Sequence, residues 1–466
     1  MKNIALARVP RVGVALLVVL VVAGTGCVGP TPTPNAEQAV GDATGLTDAV
    51  LFVNEGDLEA ARVTETGELS LQEAIRRAVL QSARLQERLA RVRIALADAE
   101  QARLLPNPVL DLVYRFPRTS GAPDEIEVGV SAQLVPLLTR PGRSRSADDT
   151  LRAAVSDAVN EAIDVVFEVR RNYETARAFD EFIAAVEGRR DLLGRLVTVA
   201  QERLDSGEGT RIDVTSLRAQ QADLELDVLD FARERQDARL ELAHLIGEPE
   251  SSANWTLESR QPLAPLNGDD QRWIEAALVK RPDLEALRWE IEALKEDAKL
   301  AGVSILEGAG AGVSAEKAED WSIGPALSVP IPIFDFGAVR RARAEAVLLA
   351  AQHRFTDQKR LAISEVRRAH ATCLALQTAL ARLRGTVLPL QQQRQTEIEG
   401  VYRSGQADIT TLILAEQELR LAQVRLVDLE QKAAHARTAL ERAVGGPAAA
   451  TRVETELHGS EPGDRP

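Results

Sequence analysis

Histidine, cysteine and carboxylate side chains are the groups that could ligate a metal or attack a substrate, and here they are scattered. The five histidines, His244, His353, His370, His435 and His458, form neither an HExxH pair nor any other ligand spacing, so no metal site or cofactor is expected. There is no nucleophile motif, and Ser206-Gly-Glu-Gly209 reads as a helix break rather than a phosphate-cradling loop. No catalytic residue is assigned, and the chain is not expected to be an enzyme. Cys373, inside a helical stretch, reads as a small core residue. The polar positions that stand out fall in two short breaks: Gly207, Thr210 and Asp213, then Gly405, Asp408 and Thr411. A glycine supplies the left-handed residue that ends a helix, and Thr210 and Asp408 stand where a side-chain oxygen caps the next one. On spacing alone, Asp213 and Asp408 read as helix caps or solvated residues at the restart of a helix.

The N-terminus carries chemistry of another kind. Lys2, Arg8 and Arg11 precede an unbroken apolar run from Val12 to Ala23, followed by Gly24-Thr-Gly26 and Cys27. Twelve apolar residues are too few to cross a bilayer, which takes ~20, so residues 1–26 read as an export signal. With Cys27 placed after small residues, the segment resembles a bacterial lipoprotein signal, which implies a palmitate-bearing, lipid-anchored Cys27. It departs from that pattern at Gly24, where leucine is usual, and an ordinary signal peptide is the alternative. Residues 27–68, opening with Pro30, Pro32 and Pro34, read as a tether with little regular structure, and residues 448–466 as a disordered tail.

The elements between these ends occur twice. Val214, Leu217, Leu224 and Leu242 belong to a run with 3,4 spacing that begins after the first polar break. An offset of 198 residues leads to Leu412, Ala415, Ala422 and Leu440, after the second break. Two copies of one helical hairpin, each with a coiled-coil seam, account for this. The copies span 69–262 and 269–447. Each opens with a helix, near Leu71–Leu105 and Gln271–Ala301, with a kink expected in copy two alone, at Pro282. Each contains a very long helix, expected from Ala147 to Leu204 and from Ala338 to Arg403, the second bending at Pro389.

Between the opening and long helices the hydrophobic period changes from 3.6 to 2. In copy one Leu110, Leu112, Tyr114 and Phe116 alternate with Asp111, Val113 and Arg115, and Ile126, Val128, Val130 and Ala132 alternate with Glu127, Gly129 and Ser131. In copy two Trp321, Ile323, Pro325, Leu327, Val329 and Ile331 alternate with Ser322, Gly324, Ala326, Ser328 and Pro330, paired with a weaker strand near Val303–Ala315. Two-faced strands of ~10 residues suit a membrane β-barrel; a soluble amphipathic hairpin is the alternative. On the barrel reading, Leu112, Tyr114, Val128, Val130, Trp321, Ile323, Leu327 and Val329 face lipid. Four strands cannot close a transmembrane barrel, whose smallest form has eight, and open edges are not tolerated in lipid. Several chains must share one barrel: two would give eight strands and three twelve.

Composition fits long helices and thin seams: charged residues make up 27% and aromatics 3% of 466 residues. The net charge of −14 argues against nucleic acid as a partner. The organisation resembles the TolC-like outer-membrane efflux proteins. The most specific stretch runs from Trp321 to Gly337 and ends Pro-Ile-Pro-Ile-Phe-Asp-Phe-Gly; its copy-one counterpart, Leu134-Val-Pro-Leu-Leu-Thr-Arg-Pro-Gly142, is degenerate. Leu104-Leu-Pro-Asn-Pro108 is similar to the strand entry of the heavy-metal efflux branch. The resemblance implies a mainly α homotrimer with a twelve-strand outer-membrane barrel and a periplasmic helical tunnel. It also implies helix tips that gate the tunnel and dock on a periplasmic adaptor (membrane fusion protein) and an inner-membrane pump; Asp213 would then be the candidate for a ring of three carboxylates at the aperture, favouring cations, with a cap or solvated residue as its alternative. The family's closing network of tip aspartates, tyrosine and arginine is only partly matched. The competing reading is a lipid-anchored periplasmic coiled-coil adaptor or structural protein.

Overall fold

The computed structural model describes residues 35–46, 52, 67–116, 124–250, 252–266, 268–317 and 320–459. The export segment and Cys27 lie outside them. Within the expected tether, however, Ala36–Thr44 forms a helix, α1, with Val40 fully buried against the first copy's core.

Each copy opens with two helices rather than one. In copy one these are α2 (Leu71–Gln81) and α3 (Ala83–Arg103). In copy two they are α6 (Asp270–Lys280) and α7 (Pro282–Ala301). The kink expected only at Pro282 therefore occurs in both. In copy one it is made by Ser82, extended in backbone, whose hydroxyl accepts from the Leu85 N–H at 3.2 Å and restarts the helix. In copy two Arg281 fixes the break: its buried guanidinium pairs with Asp283 at 2.7 Å and Glu365 at 2.6 Å.

The strands are β2 (Val109–Arg115), β3 (Glu125–Gln133), β5 (Gly310–Lys317) and β6 (Trp321–Ser328). They form one antiparallel sheet in the order β2-β3-β5-β6, so the two copies join through the β3–β5 pair. The weak copy-two strand starts later than expected, because Val303–Leu306 is a 3-10 turn. β6 ends at Ser328, just before Val329 and the run of prolines that starts at Pro330. A two-residue parallel pair, β1 (Glu68–Leu69) with β4 (Thr256–Leu257), ties the entry of copy one to its exit.

The long helix of copy one, α4 (Leu134–Asp205), has 72 residues, about 108 Å at 1.5 Å per residue. It begins well before the expected Ala147. Pro136 sits in the first turn, where no N–H bond is lost, and the helix continues through Pro141. Gly142 is a packing residue rather than a turn residue: a Cβ there would lie 2.8 Å from Leu300 of α7. Copy two has α8 (Ala338–Arg382), a π-helical turn at Leu383–Val387 and α9 (Leu388–Arg403). The expected bend is thus a π turn just ahead of Pro389, which has no N–H to offer the Gly385 carbonyl. The Leu388 N–H reaches back to the Leu383 carbonyl instead.

The return helices are α5 (Arg211–Leu245) and α10 (Ile409–Val444). Val214, Leu217, Leu224 and Leu242 are buried, as are Leu412, Ala415, Ala422 and Leu440. Pro447–Gly459, placed in the expected disordered tail, is a helix, α11. Ala449, Ala450 and Val453 share one face and pack into the second copy's core beside Trp273 and Ile274. Packing of the second copy's core thus continues past residue 447.

Candidate functional site: a two-faced sheet and paired helix tips

In an antiparallel sheet, directly opposed residues project to the same side. The register aligns Leu110, Val130, Val313 and Pro325 in one row. Leu112, Val128, Ala315 and Ile323 form the next, and Tyr114, Ile126, Lys317 and Trp321 the row after. Leu327 opposes Ala311 on the same face. Seven of the eight residues expected to face lipid thus share one surface, apolar except for Lys317 in its end row. Val329 lies beyond β6 and is not part of it.

The opposite face carries Asp111, Gly129, Ser314 and Gly324 in one row and Val113, Glu127, Glu316 and Ser322 in the next. Glu127 and Glu316 are direct neighbours, a like-charge pair that destabilises a sheet unless compensated. Arg115 compensates it: its guanidinium lies 2.9 Å from Glu127, 3.7 Å from Glu316 and 3.8 Å from Glu125. One face thus suits lipid and the other water. Among the described residues no helix is long and apolar enough to cross a membrane.

At the far end of the molecule the two hairpins turn in the same way. Gly207 and Gly405 have φ of 80° and 79°, the left-handed conformation glycine adopts without strain. Thr210 and Asp213 form a reciprocal capping box: the Asp213 N–H donates to Thr210 Oγ1 at 3.3 Å, and the Thr210 N–H donates to Asp213 Oδ2 at 3.2 Å. In copy two Asp408 accepts from the Thr411 N–H at 2.9 Å and from its hydroxyl at 2.7 Å, which hold its carboxyl below the usual range. Of the six tip residues, the two glycines make the turns and the other four form two caps, in which both aspartates take part.

What joins the two tips was not picked out from the sequence. Tyr402, 1% exposed, sits in a core with Val214, Leu217, Ile409 and Leu412, and Arg203 reaches over it from copy one. Higher up, Arg189 of α4 donates to the Glu416 carbonyl at 2.8 Å and pairs with its carboxylate. Gln395 of α9 donates to Glu416 Oε1 at 2.7 Å. Burial pushes the Glu416 carboxyl up, against the pull of Arg189. The only signal in the sequence was asymmetric: Tyr402 stands where copy one has Leu204. Cys373 is buried, and burial raises its thiol to about 11, as suits a core position.

A sheet with one lipid-compatible face, carried on helices of tunnel length that end in paired tips, defines a subunit of an outer-membrane channel. The chain matches the model of the outer membrane efflux protein family over residues 74–248 and 273–446, and it belongs to that family. It is 22% identical over 357 residues to the cobalt-zinc-cadmium resistance protein CzcC of Cupriavidus metallidurans, a match covering 74% of this chain and 82% of that protein. It is 26% identical over 206 residues to the fusaric acid resistance protein FusA of Burkholderia cepacia, covering 41% and 38% respectively. The fold matches the outer membrane protein VceC of Vibrio cholerae with a TM-score of 0.66 at 20% identity, over 81% of this chain and 96% of that one. The chain is accordingly an outer-membrane efflux channel protein.

Proposed function

We propose that three copies of this chain close a twelve-strand barrel and a helical tunnel. Together they form the passive exit duct of a tripartite efflux system, without catalysis of its own. The observation that carries this reading is a four-stranded sheet with one apolar face and two unpaired edges, β2 and β6. Lipid does not tolerate such edges, so they must pair with other copies. The tips at Gly207–Asp213 and Gly405–Thr411 are the gate and the contact for a periplasmic adaptor, which links the duct to an inner-membrane pump. Acylation at Cys27 anchors the chain in the outer membrane.

Two relatives carry resistance to chemically unlike compounds, divalent metal ions for CzcC and an organic acid for FusA. This supports a duct of low chemical selectivity, with cargo chosen by the pump. Electron-microscopy class averages of membrane-extracted protein test the assembly. Hollow particles with three-fold symmetry are expected; a solid rod would instead support the tethered coiled-coil adaptor.

A further inference from the structure

Within one chain the two long hairpins meet as lock and key. Phe182 of α4 and Phe231 of α5, with ring centres 5.2 Å apart, form an apolar cleft on copy one that receives Val424 and Val427 of α10. Beside it Arg420 of α10 pairs with Asp227 of α5. Copy one supplies the lock and copy two the key, so the contact is heterologous and each copy keeps its other half unused. The duplication locates those halves. The offset of 198 residues carries Phe231 to Leu429, and carries Val424 and Val427 back to Leu226 and Leu229. Above the π turn the offset is one residue shorter, since buried Val169, Tyr173 and Ala176 correspond to buried Val366, His370 and Cys373. The π turn is thus a one-residue insertion, and Phe182 corresponds to Ala379. Ala379 and Leu429 line a cavity of about 440 Å³ with Val387, Leu421, Arg382 and Arg425. Leu226 and Leu229 stand 62% and 66% exposed on α5. The sizes are exchanged as well. Two phenylalanines face two valines inside the chain, whereas here an alanine and a leucine stand opposite two leucines, so a smaller wall is matched by a larger insert. Charge agrees: Arg382 and Arg425 have no ion pair among the described residues, and Glu225 and Asp230 flank the two leucines on α5.

We infer that this copy-two cleft is filled by Leu226 and Leu229 of a neighbouring chain. The inference rests on the three-chain reading above and gives the tunnel its contact between chains. Hairpins of copy one and copy two alternate around a ring and close it through one repeated lock and key. The two kinds of seam differ in chemistry. The positions of Arg420 and Asp227 are held between chains by Ala222 and Arg425, so that ion pair has no counterpart there. Leucines fill the seam, and Arg382 and Arg425 at its margin meet the carboxylates of Glu225 and Asp230.

The experiment is cysteine cross-linking of the full chain in membranes with an ethylene-spaced bis-methanethiosulfonate, read on denaturing gels and by peptide mass spectrometry. L226C/L429C should give covalent dimers and trimers, because the bond joins chain to chain. V424C/F231C, the equivalent pair inside the chain, should link without raising the mass. L226C/L414C is the mismatched control, since Leu414 is exposed on α10 but outside the cleft. It should give at least tenfold less of the linked species. As a second measure, L429C in assembled particles should react with a maleimide at least tenfold more slowly than L414C. A link between L226C and L429C within one chain would overturn the contact, as would equal yields from the matched and mismatched pairs. Three-fold particles in which L226C/L429C stays unlinked and L429C labels freely would also overturn it, leaving the duct standing. Single-chain particles would remove the contact and the duct together.

Discussion

Arg203, in the last turn of α4, donates from Nη1 to the Tyr402 carbonyl at 2.8 Å, and its guanidinium lies 4.9 Å from the centre of the Tyr402 ring. One side chain of copy one thus holds the backbone and the aromatic face of copy two beside the paired turns. The same carbonyl already accepts from the Gly405 N–H at 3.0 Å, so the tip turn and the contact between copies share one atom.

Replacing Arg203 by alanine removes that hydrogen bond and the stacked cation, together worth about 1–2 kcal/mol. Single-channel recording in planar bilayers should show R203A tips open roughly tenfold more often than wild type. R203K should fall between the two, because lysine keeps the charge but not the planar stack. Unchanged open probability in R203A would remove Arg203 from the gate.

The two faces of the sheet predict opposite tolerances. L327R and V128R place a charge on the apolar face and should cost about 2–4 kcal/mol near the bilayer midplane. S314R, on the polar face, should insert almost normally. Heat-resistant oligomer yield after refolding into vesicles reads the difference. Equal yields for V128R and S314R would contradict the assignment of faces.

The caps at the two turns should be separable by hydrogen exchange. T210A and D408A each remove a capping oxygen, at a cost of about 0.5–2 kcal/mol. Exchange should accelerate in the first turn of α5 alone for T210A and of α10 alone for D408A. Acceleration spread along a whole hairpin would mean that the tip acts as one cooperative block.

Acid should weaken the entry of copy one through Glu73. Its carboxyl is held at about 2, first by the hydrogen bond from Arg76 and then by Arg77, with burial opposing them. A carboxyl depressed in the folded chain contributes stability above its unfolded value, near ~4.3, and that contribution is lost as pH falls toward 2. Wild type should exceed E73Q by about 1–2 kcal/mol at pH 7, a figure discounted for partial exposure, and should match it near pH 2. A gap that persists at pH 2 would assign the effect to packing instead.

The legible parts of this fold were those that repeat. The heptad seams, the change of period to 2 and the tip glycines all recur across copies, and recurrence outweighs local noise. Departures came where one residue served a purpose its type does not announce. Ser82 breaks a helix by capping the next, a role invisible beside the more conspicuous Pro282. Pro141 and Gly142 together look like a turn, yet the first is carried within α4 and the second makes room for Leu300. Residues 447–459 looked like a tail because their apolar positions are small alanines, and these matter only once α6 and α10 supply the opposing surface. Arg189, Glu416 and Gln395 are far apart in the chain and carry no local pattern, so only the packed helices bring them together.

The open edges of the sheet also have a genetic consequence. A barrel shared among identical copies lacks a spare strand, so every seam joins β6 of one chain to β2 of the next. An allele that damages either edge would spoil not only its own product but every ring it enters. In a cell making both versions in equal amounts, one ring in eight would be wholly normal if three chains mix at random. Lesions in these two strands should therefore be dominant, whereas lesions that prevent export of the chain should be recessive.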